Sequence, residues 1–188
     1  MEALREKRDL RVEKTLDAIR ETFESMLVEM PYEKITVTAL CARARINKKT
    51  FYRYYSALDD LLQELLSDYI DPYVEQTFGM FFPKDVEDVT KAFLEYCASL
   101  GDVFDKIVLS SSHEKILARF IKGIEAERYE KSVPPPGWTE DEWHLYMISV
   151  TSAQLKIYQQ WVQDGRSVPL DRMIDIACSV ICEGANLK

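Results

Sequence analysis

Between Thr36 and Tyr54 the chain gathers residue types that can grip a polyanion: hydroxyls, an amide and cations at helical spacing. Thr36 and Thr38 open one short apolar-periodic segment. Arg45, Asn47, Lys48, Lys49, Thr50, Tyr52, Arg53 and Tyr54 crowd the next. From position 34 to 56 there are six bases (Lys34, Arg43, Arg45, Lys48, Lys49, Arg53) and no acid. Such a field meets phosphates. Lysine can reach guanine O6 and N7, and threonine can touch a base or a thymine methyl. Tyrosine hydroxyls and backbone N–H groups at a helix start suit phosphate oxygens. Read in isolation, the stretch fits a solvated charged face equally well.

The elements that must hold these residues are helical. Leu16, Ile19, Phe23, Leu27 and Met30 recur at three or four and predict an amphipathic first helix over 10–30, ended by Pro31. Thr36 is the expected N-cap of a second helix running to about Ala44, with Ile35 stapled onto Leu40. Arg45-Ile46 makes a tight turn. Asn47 caps a third helix over Lys48–Tyr54, of about two turns. Ser56 with Asp59 forms a capping box for a fourth helix from about Ala57. Pro72 predicts a kink or a new start there. Two short helices joined by a tight turn, the second basic, outline a helix-turn-helix. Cys41 sits where the helix crossing needs a small side chain, and Leu40, Ile46 and Phe51 form the small core beneath.

The stretch YEKITVTALCARARINKKTFYRYYSALDDLL (32–62) resembles the DNA-binding domain of the TetR family of transcriptional regulators. The matching residues are Ile35-Thr36-Val37 and Thr50-Phe51-Tyr52-Arg53-Tyr54-Tyr55, with a helix before and a long helix after. The resemblance implies Thr36 and Thr38 near phosphate, Lys48, Lys49 and Thr50 in the groove, and Tyr52 and Tyr54 on phosphate or base. It implies packing rather than contact for Tyr55. Two positions depart from the family pattern. Arg45 stands where the turn glycine is usual, so the turn must differ or Arg45 must gain a phosphate contact. Leu58 stands where lysine is frequent at the start of the fourth helix.

The bulk properties agree with a regulator of this kind. The net charge is −8, divided as +3 over residues 1–56 and −11 over 57–188, so the acidic remainder would orient the basic head toward DNA. Hydrophobic residues make up 47% of the 188, enough for a sizeable core. No apolar run approaches membrane-spanning length, and MEALREKRDLRVEK has no signal-peptide core, so a bacterial cytoplasmic protein is expected. Cys41, Cys97, Cys178 and Cys182 are irregularly spaced and far from His113 and His144, which points to buried thiols rather than a metal site. No GxSxG, HExxH or phosphate loop occurs, so neither an enzyme nor a cofactor is expected. Arg5, Lys7, Arg8 and Arg11 form a mixed-charge arm, read as a frayed tail rather than a minor-groove contact.

Residues 57–188 are expected to form a helical effector-binding and dimerisation domain, giving an all-α chain of about nine helices with the helix-turn-helix domain at 1–56. Helices are expected over 85–100, 102–110, 112–131, 140–164 and 169–185, with SVPPPGWT (132–139) as the clearest loop. The end of the chain resembles the closing helix pair of the same family. Its apolar positions Trp143, Met147, Val150, Tyr158, Trp161, Ile174, Ala177, Cys178 and Ile181 are the expected homodimer face, with intramolecular core as the alternative. Tyr69, Tyr73, Phe93, Tyr96, Phe104, Phe120 and Tyr146 are the expected lining of a small-molecule pocket, with plain core again the alternative. The function so implied is a homodimeric repressor on a palindromic double-stranded DNA operator, released by an effector. A helical adaptor that uses the basic head on another partner is the competing reading.

Overall fold

A computed structural model describes residues 2–185, and within them the side chains of all but 2–9, Ser112, Glu114, Phe120, Glu125, 127–131 and 183–185. The described residues form nine α-helices and no strand. The helices are α1 (Glu2–Glu29), α2 (Val37–Arg43), α3 (Lys48–Phe51), α4 (Leu58–Gln76), α5 (Val86–Ser99), α6 (Gly101–Leu109), α7 (Glu114–Lys131), α8 (Glu140–Gln163) and α9 (Leu170–Ala185). Short 3₁₀ turns lie at Tyr32–Lys34 and Ser111–His113. The chain divides into two compact units, Met1–Ser67 and Asp68–Lys188. The division falls inside α4, beyond the expected boundary at 56, because the first turns of α4 are bonded to α1 and to residue 32.

In the first unit α1 begins at Glu2, so the segment read as a tail continues the helix; the side chains of Arg5, Lys7 and Arg8 lie outside those described. Ile19, Phe23, Met26 and Leu27 from α1 are buried with Leu40, Cys41, Phe51 and Tyr55, and with Leu61, Leu62, Leu65 and Leu66 of α4. Burying each such side chain contributes about 1.5–3 kcal/mol. Polar ties bind the same elements. Arg20 of α1 is ion-paired with Glu64 of α4, and the Tyr55 hydroxyl donates to the same carboxylate at 3.0 Å. Tyr32 donates to Asp59. Ser56 finds its acceptor in Asp60 rather than Asp59: the Ser56 and Ala57 N–H groups donate to it at 2.7 and 3.3 Å, covering helix-start donors that lack intrahelical partners.

In the second unit α5 packs along α9, and α8 packs on α5, α6, α7 and α9. Pro72 lies within α4 with no new start, although it cannot donate a backbone bond there. Thr139 and Glu142 form a complete capping box at the start of α8. At its end, Arg166 N–H reaches Trp161 O at 2.9 Å and Gly165 N–H reaches Val162 O at 3.0 Å. This pair of bonds closes the helix as a Schellman motif, with Gly165 at φ 68°.

Candidate nucleic-acid interface

The turn between α2 and α3 is a second Schellman closure. Ile46 N–H donates to Cys41 O at 3.0 Å and Arg45 N–H to Ala42 O at 3.4 Å. The geometry needs a left-handed residue, and Arg45 supplies it at φ 55°. Arginine there costs about 1–2 kcal/mol relative to glycine. The departure from the family pattern therefore leaves the turn standing and adds a cation to it.

Both caps form as the residue types require. The Ala39 N–H donates to Thr36 Oγ1 at 3.1 Å, and the Thr50 N–H donates to Asn47 Oδ1 at 2.7 Å. Thr50 Oγ1 also donates to Asn47 Oδ1, at 3.0 Å. Helix α3 is shorter than expected, ending at Phe51, with Tyr52 as its C-cap. Residues 52–54 continue as a hydrogen-bonded turn, with Tyr54 N–H on Phe51 O at 2.9 Å and Tyr55 N–H on Phe51 O at 3.0 Å. The helix stops because Tyr55 must turn inward. It is buried against Phe51, their ring centroids 5.5 Å apart, and its phenol is tied to Glu64. Burial, the first cause, and the neighbouring carboxylate raise its pKa, so it stays a neutral donor.

With Phe51 and Tyr55 directed inward, the surface left over is cationic and hydroxylic. Thr36, Thr38, Arg45, Asn47, Lys48, Lys49, Tyr52 and Arg53 are exposed, and Thr50 and Tyr54 are half-buried. Tyr52 stands 56% exposed, which no packing demand explains. One base of the six is not free. Arg43 is bound to Glu29 and donates to Ser25 Oγ at 2.8 Å, so it braces α2 on α1. Sequence spacing alone did not distinguish this bracing arginine from the others. The i,i+4 pair Ser25/Glu29 on α1 was its one visible signal, since it presents two acceptors on one face.

In the second unit the expected dimer residues are core. Trp143, Met147, Val150, Tyr158, Trp161, Ile174, Ala177 and Ile181 are buried within their own chain, and Cys178 is half-buried. Packing of α8 and α9 on α5 and α6 accounts for this. The apolar side chains these helices leave exposed are Leu145 and Ile148 on α8, and Ile176 and Val180 on α9. Trp161 donates its indole N–H to Val168 O at 2.7 Å. Tyr158 lies within hydrogen-bond reach of Asp105 Oδ1 at 2.6 Å and Cys97 O at 2.9 Å, and Arg166 donates to Asp105 Oδ2 at 2.6 Å.

The expected pocket rings mostly pack on one another. Tyr73 lies between Phe93 and Tyr96, at 5.6 Å from each, and Tyr69 meets Phe104 at 5.6 Å. Tyr73, Phe93 and Phe104 are buried, and Tyr96 donates to Tyr69 O at 2.8 Å. Tyr146 belongs to a separate cluster with Phe82, Trp138 and Trp143. Burial pushes its phenol up to about 12. The Phe120 side chain lies outside those described. An open pocket of about 280 Å³ lies elsewhere, between the end of α6, the Ser111–His113 turn, α7 and α8. Among the described residues there is no cluster able to hold a metal and no helix long and apolar enough to cross a membrane.

No protein-family model matches the chain, and no curated protein matches it in sequence. Solved structures do. A TetR transcriptional regulator from Streptococcus agalactiae 2603V superposes with a TM-score of 0.67 at 22% identity, over 93% of this chain and 97% of that one. The transcriptional regulator FadR from Bacillus subtilis, solved in complex with stearoyl-CoA, gives 0.59 at 14% identity over 92% and 98%. A TetR-like transcriptional regulator from Rhodococcus sp. RHA1 gives 0.54 at 15% identity over 94% and 96%. With a capped helix-turn-helix in its first unit and a helical bundle in its second, the chain has the fold of the TetR-type transcriptional regulators.

Proposed function

We propose that this chain is a DNA-binding transcriptional repressor that acts as a homodimer on a palindromic operator and is released by a small-molecule effector. The observation that carries the reading is the surface around α3. Lys48 and Lys49 stand exposed on α3, with Arg45 in the turn before it and Arg53 in the turn after it, while the neighbouring Arg43 and Arg20 are engaged by acids. Lys48, Lys49 and Thr50 would read base edges, with Thr36, Thr38, Tyr52 and Tyr54 on phosphates.

A single head of this size makes few contacts, so specific affinity calls for two. Leu145, Ile148, Ile176 and Val180 support a dimer face on α8 and α9, because each helix leaves an apolar pair exposed within about one turn. Half-sites would then lie about one helical turn of DNA apart. One structure of the same fold holds stearoyl-CoA, which supports an effector-responsive body.

Selection of bound duplexes from a random pool tests the function. A palindromic consensus is expected. Binding that non-specific competitor DNA removes completely would overturn the operator reading and favour an adaptor.

A further inference from the structure

We propose that the pocket bounded by the end of α6, the Ser111–His113 turn and α8 binds a small monocarboxylate with a compact apolar body. Its regulatory meaning rests on the effector reading above; its occupancy does not. Helix α8 contributes Lys156, Gln159 and Gln163, spaced three and four apart and so on one face. Opposite them lie Ser110 and Ser111, with Leu117 of α7 beneath. The remaining lining among the described residues is aliphatic, Val108 and Leu109 from the last turn of α6.

The chemistry follows from what lines the space. Among the described residues that line it, Lys156 is the only ionisable one. Lys156 is exposed. Gln159 is already fixed, its amide N–H donating to Val108 O at 2.9 Å, which leaves its carbonyl oxygen as an acceptor. Two serine hydroxyls and the Gln163 amide add neutral donors. One cation with several neutral donors suits a single negative charge rather than a phosphate dianion. Val108 and Leu117 are buried and form the apolar side. A cavity of about 150 Å³ is enough for benzene, so 280 Å³ accommodates roughly one ring with its carboxylate. The turn that rims the pocket also holds His113, which is buried with neither ring nitrogen hydrogen-bonded. A buried imidazole without a partner is incompletely satisfied, so this turn is the lining segment most open to rearrangement.

The chain has two histidines, His113 and His144, which makes their imidazole resonances a direct reporter. The full chain is titrated with benzoate, and with benzyl alcohol as the neutral control. A saturable shift of His113 but not His144 is expected with benzoate. Lys156→Gln should weaken it by about tenfold or more, the worth of a charge-assisted hydrogen bond, and Lys156→Arg should retain it. Both variants change an exposed side chain and should keep the parent circular dichroism. No saturable shift, or equal benzoate affinity in Lys156→Gln, overturns the site. A gel shift on the selected operator, run separately, decides whether occupancy releases DNA. Benzoate binding without release overturns the effector role and leaves the site standing.

Discussion

In Met1–Ser67 the polar ties lie at or near the surface: Arg43 to Glu29, Tyr32 to Asp59, Arg20 to Glu64. In Asp68–Lys188 exposed ties such as Thr139 with Glu142 are joined by ties inside, where Asp105 is buried with Tyr158 and Gln154 donates to buried Thr90 at 2.9 Å. The contrast separates two uses of polar groups. On the head, acids engage the bracing arginines, and the cations left over are available to a partner. In the body, buried polar groups have no water to fall back on, so losing one partner strands the other. Substitutions should therefore change binding in the head and stability in the body.

The largest effect is expected from Lys48→Ala with Lys49→Ala. Operator affinity should fall about a hundredfold or more, since each base contact contributes about 1–3 kcal/mol, while the thermal midpoint stays put. A gel shift at fixed salt checks it, and unchanged affinity breaks the assignment of the free cations.

Asp105→Ala should cost the body about 2–4 kcal/mol in urea unfolding. That is below a fully buried pair, because the Arg166 side chain keeps 37% of its exposure. A loss under 1 kcal/mol would erase the contrast between the units. Next, Ile148→Glu with Val180→Glu should yield monomers by light scattering, each lost apolar contact being worth about 1.5–3 kcal/mol. An intact dimer would place the interface elsewhere.

Arg45→Gly should act in opposite directions on the two properties. Stability should rise by about 1 kcal/mol as the left-handed strain is relieved. The slope of log affinity against log salt should flatten by about one if Arg45 meets a phosphate.

The smallest effect is a pH dependence. Hydrogen bonds from the Ser56 hydroxyl and from the Ser56 and Ala57 N–H groups hold the Asp60 carboxyl below its ordinary value. Its stabilisation is present above the usual aspartate range and is lost as pH falls through the depressed pKa. Asp60→Asn should thus differ from the parent near neutrality and converge with it in acid.

Much of the head was legible because its determinants are local. Thr36 and Asn47 cap from within three residues, and Leu40, Ile46 and Phe51 all lie within the short helix-turn-helix stretch itself. The length of α3 was not legible, because a contact 9 residues downstream, Tyr55 with Glu64, draws the chain inward. The bracing role of Arg43 was hidden for the same reason: its acceptor lies 14 residues back on another helix. In the body, α8 and α9 show apolar residues on more than one side, so periodicity alone could not say which side faces in. Ser56 shows how close local reasoning comes: the capping acid is real, but one position further on than the spacing suggested.

The sequence by itself determined that the chain is helical, the caps at Thr36 and Asn47 and the basic cluster at 34–56, since these depend on residues within a turn or two of each other. Tertiary structure decided which arginines are engaged, which stripe of α8 and α9 is core, and where an open pocket remains. Those outcomes depend on how helices far apart in the chain pack together, and an amphipathic pattern leaves several such packings open.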